Sequence, residues 1–199
     1  MLVASLLVSA STYSMQPVPA DLCERNPCRE PREITLLIDG QRVAAPYPLG
    51  RSPILLDGVM VLLAKDEAVT LRRNESTHHE NTGRPVFSLA DFTVSAEMPD
   101  HQLGQYGEVL ISLTLDDVDE SSTFKLSNHA DERMVFGLSV ISAQGQPFDV
   151  ETCPVDPRGQ VVLRIQNQVF AVMVSEMQVV DETASCADYS INDYPLLNQ

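Results

Sequence analysis

Short runs in which apolar and polar residues alternate recur along this chain, and no segment keeps the 3.6-residue spacing of an amphipathic helix. After residue 30 these runs follow one another at intervals of roughly 8–12 residues, with Gly, Pro or Asp between them. A two-residue period places alternate side chains on opposite faces of a strand. The sequence therefore predicts an all-β fold, an antiparallel β-sandwich.

Two Asp-Gly dipeptides, at 39–40 and 57–58, mark tight turns, because both residue types tolerate the positive φ that a hairpin needs. The first dipeptide follows Ile34–Ile38 and predicts a hairpin with 41–45. Two late strands, 169–174 and 177–180, carry a set of large apolar side chains that we predict in the sandwich core: Phe170, Met173, Met177 and Val179.

Residues 122–142 combine a strand that ends in Asn, a charged turn and a returning strand with alternating apolar residues. This stretch resembles a hairpin that is common in secreted immunoglobulin-like modules. The resemblance implies an antiparallel immunoglobulin-like β-sandwich, built as one large or two small β modules. The chain has no Trp, so it lacks the buried Trp of true immunoglobulin domains, and the resemblance concerns architecture rather than function.

The N-terminus indicates export. Leu2–Val8 is a short apolar run, far below the roughly 20 residues of a membrane-spanning helix. Small residues follow the run, as in a secretory signal peptide, although no basic residue precedes it. We predict a periplasmic or secreted protein with this order of segments: signal peptide 1–20, Cys-containing N-terminal segment 21–32, first β module 33–96, possible linker 97–105, second β module 106–187 and C-terminal tail 188–199.

The four cysteines, Cys23, Cys28, Cys153 and Cys186, support export independently. Four cysteines allow three pairings, of which the local one, Cys23 with Cys28 and Cys153 with Cys186, is the simplest. A zinc site normally uses closely spaced cysteine pairs with nearby histidines, and the later two cysteines lack that spacing. We therefore predict a fold stabilised by disulfides.

The charge excludes two classes of partner. The chain has 13 Lys and Arg against 28 Asp and Glu, a formal net charge of −15. Because nucleic-acid binding depends on cations that displace the counter-ions of phosphates, we expect no nucleic-acid partner. An anionic membrane surface is disfavoured for the same reason, and no transmembrane segment is predicted.

Two polar segments contain the only weak candidates for metal ligands. His78 and His79 precede Glu80 in the polar loop 73–84, but adjacent side chains rarely point the same way. Asp117 and Asp119 lie in the acidic run 116–120. When this run is aligned with an EF-hand loop, Ser122 and Asn128 stand where Gly and the bidentate Glu belong. We assign neither a metal site nor a cofactor.

Catalytic motifs are missing. No Gly-x-Ser-x-Gly elbow and no phosphate-binding glycine loop is present in the sequence. Our first hypothesis is a non-enzymatic exported protein that acts by surface contacts with an unknown protein partner, in an envelope accessory, adhesion or assembly role; a homo-oligomer is possible. The alternative is a module that binds a small ligand, sugar or metal through loops 73–84 and 116–120. The third hypothesis is a hydrolase with an unrecognised active site.

Overall fold

A computed structural model describes Cys23 and residues 28–56, 60–73, 92–95 and 107–180. Strands dominate these residues, which confirms the predicted all-β class. In chain order they are β1 (Cys28–Arg29), β2 (Thr35–Ile38), β3 (Gln41–Ala44), β4 (Ser52–Pro53), β5 (Leu55–Leu56), β6 (Met60–Ala64), β7 (Glu67–Arg73), β8 (Phe92–Ser95), β9 (Glu108–Asp116), β10 (Ser121–Asn128), β11 (Met134–Ile141), β12 (Pro147–Val150), β13 (Gln160–Ile165) and β14 (Ala171–Val179).

Two five-stranded antiparallel sheets form the body of the protein. The first sheet has the strand order β13-β10-β9-β7-β8, and the second has the order β12-β11-β14-β6-β5. The two-residue period of the sequence directs alternate apolar side chains of both sheets into one shared core. The fully buried side chains of this main core include Val61, Leu71, Ile111, Phe124 and Val174. The arrangement is sandwich-like, as the alternation predicts.

Strands β6 and β7 are separated by Lys65 and Asp66 alone, yet they belong to different sheets. Asp66 has a φ of +57° in this turn. β6 pairs with β14 and β7 pairs with β9, so strands from the predicted first module share both sheets with strands from the predicted second module. The predicted linker 97–105 lies outside the described residues.

One long strand, β14, stands where the sequence predicts two. The register between β14 and β11 shifts between Val135 and Gly137, because β14 carries an extra residue there. Glu176, in this bulge, has a φ of +50°. Such a bulge reverses which face each later side chain occupies. Met177 therefore points into the main core, whereas Met173 is half-buried and belongs to neither core cluster. The prediction of Met173 as core is wrong for this reason.

The N-terminal segment 28–53 covers one end of the outer face of the second sheet. β2 and β3 form the predicted hairpin, and its Asp39-Gly40 turn has positive φ at both residues, +50° and +72°. β1 pairs with β4. A second, smaller core forms beneath this segment from side chains of both partners: Ile34, Leu36, Leu49, Ala64, Phe170 and Ala171. Phe170 is thus buried as predicted, but outside the main core.

A buried ion pair fixes the start of this segment. Nη1 of Arg29 lies 3.2 Å from Oε2 of Glu67, and their side chains are only 3% and 12% exposed. Arg29 also donates to the carbonyl of Leu62, and Arg32 lies 3.1 Å from the other carboxylate oxygen of Glu67. Burial lowers the pKa of Arg29, and the Glu67 carboxylate opposes that shift. The pair therefore ties β1 to the first residue of β7.

Candidate functional site

The acidic turn, residues 116–120, connects β9 to β10 and contains both aspartates that the sequence singles out. Oδ1 of Asp116 accepts hydrogen bonds from the amides of Val118 (2.7 Å) and Asp119 (3.2 Å). This is the local side-chain-to-backbone bonding by which aspartate stabilises turns. Glu120 closes the turn with a φ of +50°. The turn therefore has a defined backbone.

The remaining carboxylates of the acidic turn point to donors of the protein itself. Asp117 accepts from Nε2 of Gln168 (2.8 Å) and lies 3.6 Å from Nζ of Lys65. Asp119 forms an ion pair with Arg164, and Oε1 of Glu120 accepts from the amide of Gly40 (2.8 Å). Asp117 and Asp119 thus contact different donors of the chain. Within the described ranges, no group of three His, Cys, Asp or Glu residues is placed to hold a metal.

Gln168 is the residue that joins the acidic turn to the N-terminal hairpin. It is 1% exposed, and its Oε1 accepts from the amide of Leu37 at 2.6 Å. Its Nε2 donates to the carbonyl of Asp116 (3.1 Å) as well as to Asp117. One side-chain amide thus bridges β2 and the turn. Buried amides of this kind are costly unless every polar atom is bonded, so the bridge holds both elements in one geometry.

Hydrogen bonding to Gln168 lowers the pKa of Asp117 below its ordinary value of 3.8, and Lys65 contributes to the same shift. Because folding lowers this pKa, the stabilisation by Asp117 is present above the unfolded-state pKa. It is lost as the pH falls through the folded-state pKa.

We expect Gln168→Met to raise the pKa of Asp117 toward 3.8, since the largest cause of the shift is removed. The same variant should lower the free energy of unfolding by about 2 kcal/mol, because the amide of Leu37 loses its acceptor. Carboxyl-carbon NMR titration and urea unfolding measure the two effects. Gln166→Met, at an exposed position two residues earlier, is the matched control. An unchanged Asp117 pKa in Gln168→Met would contradict the bridge.

Val118 stands at the tip of the acidic turn with 90% of its surface exposed. It lies between two aspartates that are held in place by Gln168 and Arg164. The Asp39-Gly40 turn of the hairpin abuts the same turn through the Glu120 bond. This end of the molecule therefore presents an apolar side chain on a fixed, largely acidic surface, which we call the acidic end.

Three predicted site residues lie outside the described residues: His78, His79 and Cys186. The rest of the loop 74–84, the predicted signal peptide 1–20 and the predicted tail 188–199 lie outside them as well. Cys23 and Cys28 form the predicted disulfide. Cys153 is disulfide-bonded as well, and its pairing with Cys186 stays a prediction. No helix in the described part of the chain is both long and apolar enough to cross a membrane.

An open groove lies beside β14, at the turn between β10 and β11. Asp131, Glu132, Arg133 and Asp156 line it together with apolar atoms of Val179 and Val180. Nε of Arg133 lies 3.0 Å from Oδ1 of Asp156, so the groove carries mixed charge rather than a concentration of one sign.

Sequence reasoning missed the two residues that define the acidic end, Gln168 and Val118. Gln168 follows Gln166 and Asn167 in a polar stretch before β14, and only its burial distinguishes it from its neighbours. Val118 is an isolated apolar residue in an acidic run, which is the one signal that the sequence offers. Comparisons with protein-family models, curated proteins and solved structures found no match to this chain.

Proposed function

We propose that this protein is exported to the periplasm or the medium and acts without catalysis, by binding a partner protein in an envelope accessory, adhesion or assembly role. The Cys23–Cys28 disulfide supports export, because disulfides persist in oxidising compartments and are rare in the cytosol. The predicted signal peptide supports it independently.

We also propose that the sandwich is immunoglobulin-like. The order in which the chain alternates between the two sheets supports this proposal. From β10 in the first sheet the chain crosses to β11 and β12 in the second, and it then returns as β13 beside β10. Return connections of this kind are typical of the Greek-key sandwiches to which immunoglobulin-like domains belong.

Val118 is the observation that carries the proposed contact function. A single exposed apolar residue is ordinary on a protein surface. Here, however, the turn that presents it is held by Asp116, by the Gln168 bridge and by the Asp119–Arg164 pair. Because side-chain and loop ordering costs free energy on association, an apolar anchor on an already ordered turn binds more tightly than one on a mobile loop.

The acidic end indicates the chemistry of the partner. Val118 suits a small apolar pocket. The side chains of Asp117 and Asp119 stay 61% and 53% exposed although each lies beside a cation of the chain, so they suit a rim that contains Lys or Arg. Complementary charge of this kind speeds association and selects the partner. We therefore infer a partner protein whose binding surface is an apolar pocket with a basic rim.

A photo-crosslinking residue at position 118 of the full exported chain tests this proposal in intact cells. We expect an adduct of defined mass that excess wild-type protein suppresses and that excess Val118→Asp suppresses at least about tenfold less well, as for an anchor residue. Position 114, an exposed residue of β9, is the control for the crosslinker. Equal adducts from positions 114 and 118, or equal competition by Val118→Asp, would contradict the proposal.

A further inference from the structure

Strand β13 is one edge of the first sheet. Among the described residues it pairs with β10 alone, and its side chains alternate between the core side and solvent. Val161 and Leu163 pack partly buried against the main core, whereas Gln160, Val162 and Arg164 are exposed, Val162 to 49%. A six-residue edge strand with an exposed apolar side chain at its centre is a template for pairing with another strand.

The backbone of β13 has N–H and C=O groups that are available for pairing with another strand. The amide of Asn128 donates to the carbonyl of Gly159 at 2.9 Å, and this bond continues the β10–β13 register. In an antiparallel ladder the bonded pairs alternate, so Val161 and Leu163 bond to β10. The N–H and C=O groups of Gln160, Val162 and Arg164 consequently point away from the sheet.

β13 also lacks a proline, the residue that blocks pairing at an edge of the second sheet. One edge strand of the second sheet, β12, begins with Pro147, and proline is a common device that prevents pairing at an edge. β13 contains no proline. Residues 100–199 contain 16 acidic and 4 basic side chains, and three of these four cations lie on β13, opposite it or just before it: Lys125, Arg158 and Arg164. These cations offset part of the acidic charge that would repel another copy at this edge.

We propose that β13 pairs with β13 of a second copy of this chain, antiparallel about a two-fold axis, with Val162 opposite Val162. This register uses all three outward-pointing residues and forms about six backbone hydrogen bonds. It places Gln160 opposite Arg164, so no like charges face each other. On the core side it places Val161 opposite Leu163 twice, which buries two half-exposed apolar side chains of each copy. The two first sheets become one continuous sheet.

The dimer is expected to depend on concentration, because a pair of six-residue strands buries less than the roughly 1,200 Å² of a standard stable interface. Sedimentation equilibrium of the oxidised full chain, from about 1 to 500 μM, should show the mass rising from one chain to two. Val162→Pro removes the central outward N–H, which makes no bond within the monomer, and should abolish the dimer. Val162→Thr keeps that N–H and should retain it.

Substitutions at Gln160 test the register. Gln160→Glu places a carboxylate opposite Arg164 of the second copy and should tighten the dimer about threefold, whereas Gln160→Arg opposes two cations and should weaken it similarly. A chain that stays monomeric at 500 μM, a dimer that survives Val162→Pro, or the same shift from both Gln160 variants would overturn the proposal. None of these results depends on the partner binding proposed for the acidic end.

Discussion

Replacing Glu67 with Gln is expected to lower the free energy of unfolding by about 3 kcal/mol, because the Arg29 guanidinium is left buried without its counter-ion. Burying an unpaired charge is among the few single changes with an effect of this size. Urea unfolding followed by far-UV circular dichroism measures it, since the chain has no Trp for fluorescence.

Arg32→Gln is the matched control, because Arg32 contacts the same carboxylate but its side chain is 39% exposed. We expect a loss below about 1 kcal/mol from this variant, as for surface ion pairs. Adding Arg29→Met to Glu67→Gln should restore part of the stability, since the buried charge itself is then removed. Equal losses from Glu67→Gln and Arg32→Gln would contradict the buried pair as the anchor of β1.

Phe124→Ala is expected to cost about 4 kcal/mol of stability, as for a large aromatic side chain deleted from a tightly packed core. Phe124 is fully buried in β10, and its ring lies 6.2 Å from that of Phe136 in the opposite sheet. The side chain therefore joins the two sheets. Its loss leaves a cavity between them that the strands cannot close without moving.

The neighbouring substitution Lys125→Ala should change stability by less than about 0.5 kcal/mol, because Lys125 is exposed on the outer face of the same strand. Urea unfolding of both variants tests the shared core. A loss below about 1.5 kcal/mol for Phe124→Ala would mean that the ring does not lie between two packed sheets.

The strands of this fold could be predicted from the sequence because their signals are local. The Asp39-Gly40 hairpin and the alternating strand β11 follow from turn chemistry and from the two-residue period. The bulge in β14 could not be predicted, since it depends on one extra residue opposite Phe136. The crossing of the chain between sheets at Lys65–Asp66 depends on long-range pairing, which alternation does not encode.

The candidate site could be predicted only in part. The acidic run identified Asp117 and Asp119, but their roles depend on Gln168 and Arg164, which are about 45–50 residues later in the chain. A carboxylate in a sequence looks the same whether it binds a cation from solution or a donor of its own protein. Only the folded chain shows that Asp117 contacts Gln168 and that Asp119 contacts Arg164.

The order of the acidic turn, with and without calcium, tests the account most directly. We expect backbone ¹⁵N order parameters of about 0.85 for residues 117–120, unchanged when millimolar Ca²⁺ is added, because Asp116, Gln168 and Arg164 already hold the turn. Order parameters below about 0.6 that rise on addition of Ca²⁺ would contradict this account. They would show instead that the turn is a mobile ion-binding loop.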